Sequence, residues 1–285
     1  MIAVEPRIVK FPYEEGTYWR KGAKQGPDAI IEQIGRMRGY SLRSKKKCAY
    51  KIEDLLVAST YIPVYSKIKA LDVIESTIRS IIDLGAAPIS LGGDHSITLP
   101  IIRALSAAYG KQRFGLIHFD AHSDTFDEVD GFEYHHGAFV RHVVNEGHVA
   151  AKDIIQLGIR GLVRGDGLEF SDSSGIRYHS VDDIAAKNFE LKDFILSRDI
   201  PYYVSIDIDA IDPAYAPGTG TPVPGGFSSR DMMKMLSQLY DLNIIGLDIV
   251  EVAPIYDSAN ITSLLAASIL YESLIGFNFK GLQKG

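Results

Sequence analysis

The chain has one cysteine, Cys48, in 285 residues, so it has no disulfide framework, and a reducing compartment is the simplest setting. No apolar run approaches the roughly 18 residues that a membrane-spanning helix needs. Residues 1–16 carry Glu5, Arg7, Lys10, Glu14 and Glu15 where a signal peptide would have an apolar core. Basic charge is scarce: 30 Lys and Arg against 36 Asp and Glu give a formal net charge of −6, which argues against a nucleic-acid surface. A small cation is a more natural partner for such a chain. Internal repeats, low-complexity tracts and Pro/Gly/Ser-rich linkers are missing too. These absences together predict a cytoplasmic protein with no membrane or nucleic-acid partner, folded as one domain over residues 1–285.

What is present is an ordinary globular balance, 46% hydrophobic and 23% charged residues. Apolar runs of strand length occur at 55–58, 88–91, 114–119, 154–159, 202–208 and 244–250. Segments with helical period alternate with them, at 68–84, 99–109, 182–197 and 229–240, with a last one at 261–275. Strands that are apolar throughout are buried on both faces, so the pattern predicts an α/β fold with a parallel sheet covered by helices. Residues 40–51, with Arg43, Lys45, Lys46 and Lys47, read as a solvated loop.

Three short stretches at the ends of predicted strands hold six potential metal ligands. They are Gly92-Gly93-Asp94-His95-Ser96, Asp120-Ala121-His122-Ser123-Asp124 and Ser205-Ile206-Asp207-Ile208-Asp209. Ligands of open α/β sheets bind outside the carboxyl ends of the strands, where all three fall. Alternate residues of an extended chain point the same way, so Asp120, His122 and Asp124 would share one cavity, as would Asp207 and Asp209. The Gly-Gly pair would allow a tight turn that swings His95 over the sheet edge. Taken alone, Asp94 or Ser96 also fits a plain helix cap. Three titratable groups on one face at 120–124 are harder to explain without a cation, because their desolvation and repulsion cost several kcal/mol. Four carboxylates balance two divalent ions, and an oxygen-rich set without cysteine suits Mn²⁺ better than structural zinc. Asp120 and Asp207 lie centrally and read as bridging ligands, and His118 as a buried histidine behind them.

Residues 92–96, 120–124 and 205–226 resemble the three signatures of the ureohydrolases, the arginase and agmatinase family, and the resemblance runs over about residues 22–271. It implies a three-layer α/β/α sandwich around a mostly parallel eight-stranded sheet, assembled as a homo-oligomer, a trimer or hexamer. It also implies two manganese ions per subunit with a hydroxide between them. One ion would be held by His95, Asp120, Asp124 and Asp207, and the other by Asp120, His122, Asp207 and Asp209. Asp124 would pass a proton to the leaving amine. His136 matches the family's proton-shuttle histidine, although the tandem His135-His136 leaves the choice to the spacing from Gly137. Glu251 matches the carboxylate that grips the guanidinium.

Within that family, residues 216–222 and 251–257 look more like agmatinases than arginases. Arginases carry Asn two residues after the Asp that Asp124 matches, and here Phe126 stands there. The loop that follows holds Asp127, Glu128, Asp130 and Glu133 and no basic residue before His135. An acidic loop attracts an ammonium tail and repels a carboxylate, so Asp127 and Glu128 are candidate substrate-binding residues and agmatine the favoured substrate. Arginine and guanidino acids are the alternatives, with Arg141 or Arg164 as the candidate carboxylate partner. Two readings from other classes are a non-catalytic metal-binding regulator and a single-metal amide deacetylase on the related fold.

Overall fold

The computed structural model describes residues 1–37, 39–58, 60–129, 131–162, 165–195 and 197–282. Its strands are β1 (Ile2–Ala3), β2 (Pro6–Phe11), β3 (Tyr40–Ser41), β4 (Lys46–Lys47), β5 (Ala87–Gly92), β6 (Gly115–Phe119), β7 (Ile154–Ile159), β8 (Arg177–Ser180), β9 (Tyr202–Asp207), β10 (Asn243–Val250) and β11 (Asn278–Gly281). Its helices are α1 (Gly26–Ile34), α2 (Ile52–Leu55), α3 (Lys67–Asp83), α4 (Thr98–Tyr109), α5 (Phe139–Asn145), α6 (Gly165–Ser174), α7 (Val181–Ala186), α8 (Ser229–Ser237) and α9 (Ile261–Gly276).

Alternating side chains of each strand feed two cores. Ile8, Ile117, Ile155, Val204 and Ile244 meet α1, α7, α8 and α9, while Val9, Leu116, Ile154, Tyr203 and Ile245 meet α3, α4 and α5. Each buried aliphatic side chain contributes about 1.5–3 kcal/mol by leaving water. This is the expected helix–sheet–helix sandwich. Helix α3 shows how the sequence makes such a layer: Leu71, Ile74, Ile78 and Ile81 fall at helical spacing and are buried. Ser66 caps its start by accepting from the Lys69 N–H at 3.4 Å, and Gly85, with φ 75°, follows its end.

The parallel strands run in the order β2-β5-β10-β9-β6-β7-β8. Strand β11 joins parallel beside the first residues of β10, and β1 pairs antiparallel with β11. Among the described residues the sheet therefore has nine strands where eight were expected, the two-residue β1 being one of them. The chain leaves β5, passes over two places and returns as β6; β9 and β10 fill those places later. This break in strand order brings the carboxyl ends of β5, β10, β9 and β6 side by side.

Three sequence expectations differ locally. Residues 55–58 are the end of α2 and a single bridge from Leu56 to Ile8, not a strand. The helix expected over 182–197 stops at Ala186, and Asn188 and Phe189 turn the backbone left-handed at φ 52° and 58°. Residues 40–51 contain the short β3–β4 hairpin, with exposed Lys46 and Lys47. No helix among the described residues is long and apolar enough to cross a membrane.

Candidate metal centre

The six ligand candidates converge at the carboxyl ends of three of these strands, β5, β6 and β9. His95 opens a 3-10 turn after β5, and the two glycines before it serve close packing. A Cβ on Gly93 would collide with the Tyr13 carbonyl, and one on Gly92 with Ile97 and Val250. The other two clusters are curled, not extended. The Asp120 Oδ1 accepts the His122 N–H at 2.6 Å, and the Asp207 Oδ1 accepts the Asp209 N–H at 2.8 Å. Asp124 then adopts φ 48°, a left-handed conformation that turns its carboxylate back toward His95. The period-two pattern therefore named residues that the structure does bring together, but through curled and not extended local geometry.

Three carboxylate oxygens surround the His95 Nδ1: Asp120 Oδ2 at 3.1 Å, Asp124 Oδ2 at 3.1 Å and Asp207 Oδ2 at 3.2 Å. A second group forms around the His122 Nδ1, with Asp209 Oδ2 at 3.1 Å and Asp120 Oδ1 at 3.3 Å. Asp120 thus faces both groups, one oxygen to each, as a bridging ligand must. Ligand atoms of His95, His118, Asp120 and Asp124 lie within 4.8 Å of one another, and so do those of Asp120, His122 and Asp209. Oxygen-rich sets with one imidazole apiece fit hard divalent cations.

The charges do not balance within the protein alone. Burial raises the Asp207 carboxyl well above the usual range, and the Asp209 and Asp120 charges add to this. Asp124 is raised by burial and by Asp120. Burial works against charge on His95, yet Asp120, Asp124 and Asp207 hold its ring well above the ordinary imidazole value. His122 is raised in the same way, burial being outweighed by Asp209 and Asp120. A pocket that gathers four buried carboxylates around two imidazoles is a pocket built for cations.

Gln156 donates to the Ser123 carbonyl at 2.5 Å and sits 3.0 Å from the His118 Nδ1. The carbonyl fixes the amide orientation, so this His118 nitrogen accepts and the other, 2.8 Å from Asp120 Oδ2, donates. His118 therefore has no free lone pair for an ion and stands behind Asp120. Asp94 does serve as a cap, accepting from the Ser96 N–H at 3.0 Å. It also accepts from the Gly16 N–H at 2.7 Å, which pins the segment before Tyr18 across the site. Burial and the nearby Glu251 charge push its carboxyl up to about 6.

At the mouth of the cleft stand Tyr18, Phe126, His136, Gly137 and Thr221, with His95, His122, Asp124 and Asp207 at its floor. The His136 Nδ1 lies 2.9 Å from Glu251 Oε1, and its Nε2 is buried without a protein partner. Burial opposes its protonation, but the Glu251 carboxylate raises its pKa overall. His135 is occupied elsewhere, its Nε2 2.8 Å from the Asp127 carbonyl and its Nδ1 accepting from the Gly137 N–H at 3.2 Å. Glu251 also accepts the His95 N–H at 2.9 Å and sits at φ 62°, a strained conformation for glutamate. It is buried behind His136 and does not line the open cleft.

A sequence profile of the arginase family matches residues 5–276. The chain belongs to the arginase family. As a member, it is a metal-dependent hydrolase of guanidino compounds in a family that depends on binuclear metal centres. An agmatinase of Photorhabdus laumondii is 37% identical over 272 residues, covering 94% of this chain and 85% of its own. A guanidinobutyrase of Pseudomonas aeruginosa is 34% identical, over 95% and 86%. The solved structure of proclavaminate amidinohydrolase from Streptomyces clavuligerus superposes with a TM-score of 0.86 at 32% identity, over 95% of this chain and 91% of that one.

The residues expected to select the substrate of this ureohydrolase are placed differently from one another. Phe126 turns into the cleft, filling space beside Gly137 and Gly167, where a Cβ would meet its ring at 2.9 and 2.8 Å. Asp127 and Glu128 therefore fall on the far side, lining a neighbouring hollow with Glu133 and Arg141. Arg141 holds that loop, donating to the Thr125 carbonyl at 2.8 Å and pairing with Asp127 at 3.6 Å. Asp130 and Arg164 lie outside the described residues. Sequence reasoning missed Tyr18 and Thr221. Neither is a carboxylate or an imidazole, although Thr221 stood within the third motif and donates to Asp209 at 3.0 Å.

Proposed function

We propose that this chain hydrolyses agmatine to urea and putrescine with two manganese ions. The observation that carries this reading is the cleft itself. Its floor is histidine and carboxylate, its walls are Tyr18, Phe126 and Thr221, and no Lys or Arg lines it among the described residues. A dication is drawn into such a cleft, and a carboxylate tail finds no cation on its lining. Asp127 and Glu128 add to the negative field at the rim from the adjoining hollow.

His95, Asp120, Asp124 and Asp207 would hold one divalent ion and Asp120, His122, Asp207 and Asp209 the other, and such a pair would supply a hydroxide near neutral pH. Glu251 orients the guanidinium by charge-assisted hydrogen bonds as His136 moves off its carboxylate. Asp124 carries the proton released by the nucleophile to the departing amine. His136, whose ring lines the cleft and whose Nδ1 rests on Glu251, would exchange protons with bulk water once it leaves that carboxylate. We place the enzyme in the cytoplasm as a homo-oligomer, in keeping with its composition and family.

A guanidino-acid substrate is the second reading, favoured by Arg20, two residues after Tyr18 of the cleft wall. Its guanidinium lies over the Tyr256 ring at 3.9 Å, and its carbonyl abuts Gly220, next to Thr221. Urea release from agmatine, arginine, guanidinobutyrate and guanidinopropionate, measured in parallel on manganese-loaded protein, decides between them. Preference for agmatine supports the proposal. Preference for a guanidino acid moves substrate recognition to Arg20.

A further inference from the structure

His95 is held from behind as firmly as from the metal side. Its Nε2 lies 2.8 Å from Ser205 Oγ, and Ser205 lies 2.7 Å from Asp248 Oδ1. The other Asp248 oxygen accepts from Thr98 Oγ1 at 2.8 Å and from Tyr203 Oη at 2.7 Å. Thr98, Tyr203, Ser205 and Asp248 are all at 0% exposure, so this chain of contacts is closed to bulk solvent. It joins three elements: Thr98 on α4, Tyr203 and Ser205 two residues apart on one face of β9, and Asp248 on β10.

The chemistry of the members sets the direction of every proton. A carboxylate only accepts, so Ser205 spends its one proton on Asp248 and must accept from His95. The His95 Nε2 is then the N–H, and the lone pair sits on Nδ1, the nitrogen that faces Asp120, Asp124 and Asp207. We propose that Ser205 and Asp248 are positioning residues which fix the tautomer and tilt of His95 for the ion on its side of the centre. The assignment rests on the two-metal reading of the site. Among the described residues His122 has no such backing: it is 28% exposed and meets carboxylates through Nδ1.

Asp248→Asn gives the sharpest test, because it changes polarity at nearly constant shape. Two hydroxyls donate to one oxygen of Asp248, so an asparagine there keeps its carbonyl on that side and turns its NH₂ to Ser205. Ser205 would then donate to His95 Nε2 and leave the proton on Nδ1, the wrong tautomer for a ligand. Manganese affinities are measured by equilibrium dialysis on wild type, S205A, S205T and D248N, with melting curves of the metal-free proteins as a fold control. The expected result is a roughly 10–100-fold loss of affinity for one ion in S205A and at least as large a loss in D248N. The other ion should change little, and S205T should recover binding. The proposal is overturned if S205A and D248N bind both ions as wild type does. It is also overturned if D248N is milder than S205A, or if both ions weaken together without rescue by threonine, since packing alone would do that. A wild-type chain that binds no pair of ions would instead overturn the two-metal reading, a result seen before any variant is made.

Discussion

The two halves of the metal centre share Asp120 but are built to different standards. Around His95, a ring at 1% exposure is fixed at both nitrogens, by three carboxylates in front and by Ser205 behind. Around His122, a partly open ring leans on Asp120 and Asp209 with no buried hydroxyl behind it among the described residues. A site with pre-set ligands loses little freedom on binding an ion, whereas an open one must order its ligands each time. The difference teaches that a binuclear centre need not hold its ions equally: the deep half should fill first and empty last.

The comparison fails outright if Asp120 is not common to both halves. Asp120→Ala should reduce urea release to background and leave neither ion bound after desalting; metal analysis beside the assay checks this. Substituting each histidine separates the halves. His95→Ala should lose its ion at any practical manganese concentration. His122→Ala should lose an ion that returns, with activity, when manganese is raised roughly 10–100-fold. Equal behaviour of the two variants would erase the distinction. Glu251→Gln tests the substrate side at constant metal: kcat/KM should fall roughly 10²–10³-fold with both ions retained, the loss expected for a charge-assisted contact, about 3–4 kcal/mol.

The smallest effect sharpens the contrast from outside the centre. His179 on β8 packs on Phe194, with ring centroids 4.5 Å apart, and its buried Nε2 has no protein partner. Burial, helped by Arg177, lowers its pKa, the opposite of the carboxylate-held His95 and His122. A histidine depressed in the folded state stabilises the fold above its unfolded value of about 6.5 and loses that contribution as pH falls. Denaturant melts between pH 7 and 5 should show His179→Phe losing less stability on acidification than wild type, by up to about 1 kcal/mol.

The centre was more legible in the sequence than the fold around it. Asp-x-His-x-Asp and Ser-x-Asp-x-Asp at strand ends, with the histidine after Gly-Gly-Asp, named all six ligand candidates. Titratable groups crowded beside apolar strands are costly to bury unless a cation neutralises them, so their presence there points to a metal. Strand β2 was not legible: Pro6, Arg7 and Lys10 interrupt its apolar run, and only pairing with β5 makes it a strand. Helix α7 was overdrawn because the period continued past Ala186, while Asn188 and Phe189 obeyed the backbone turn. The Asp127–Glu128 expectation ran ahead of geometry, since one residue decides which side of the loop faces the cleft, and Phe126 took that side.

By itself, the sequence determined the chemistry and the layer order. Residue type sets charge and ligand hardness, and two-faced apolar strands leave little choice but a covered parallel sheet. Only the tertiary structure decided which histidine meets Glu251, which nitrogen of His95 faces the carboxylates, and whether an acidic loop touches the cleft or only charges its surroundings. Those outcomes depend on ångström distances between residues far apart in the chain, Ser205 to Asp248 and His136 to Glu251 among them. Local sequence pattern has no access to distances that are set when four strands close side by side.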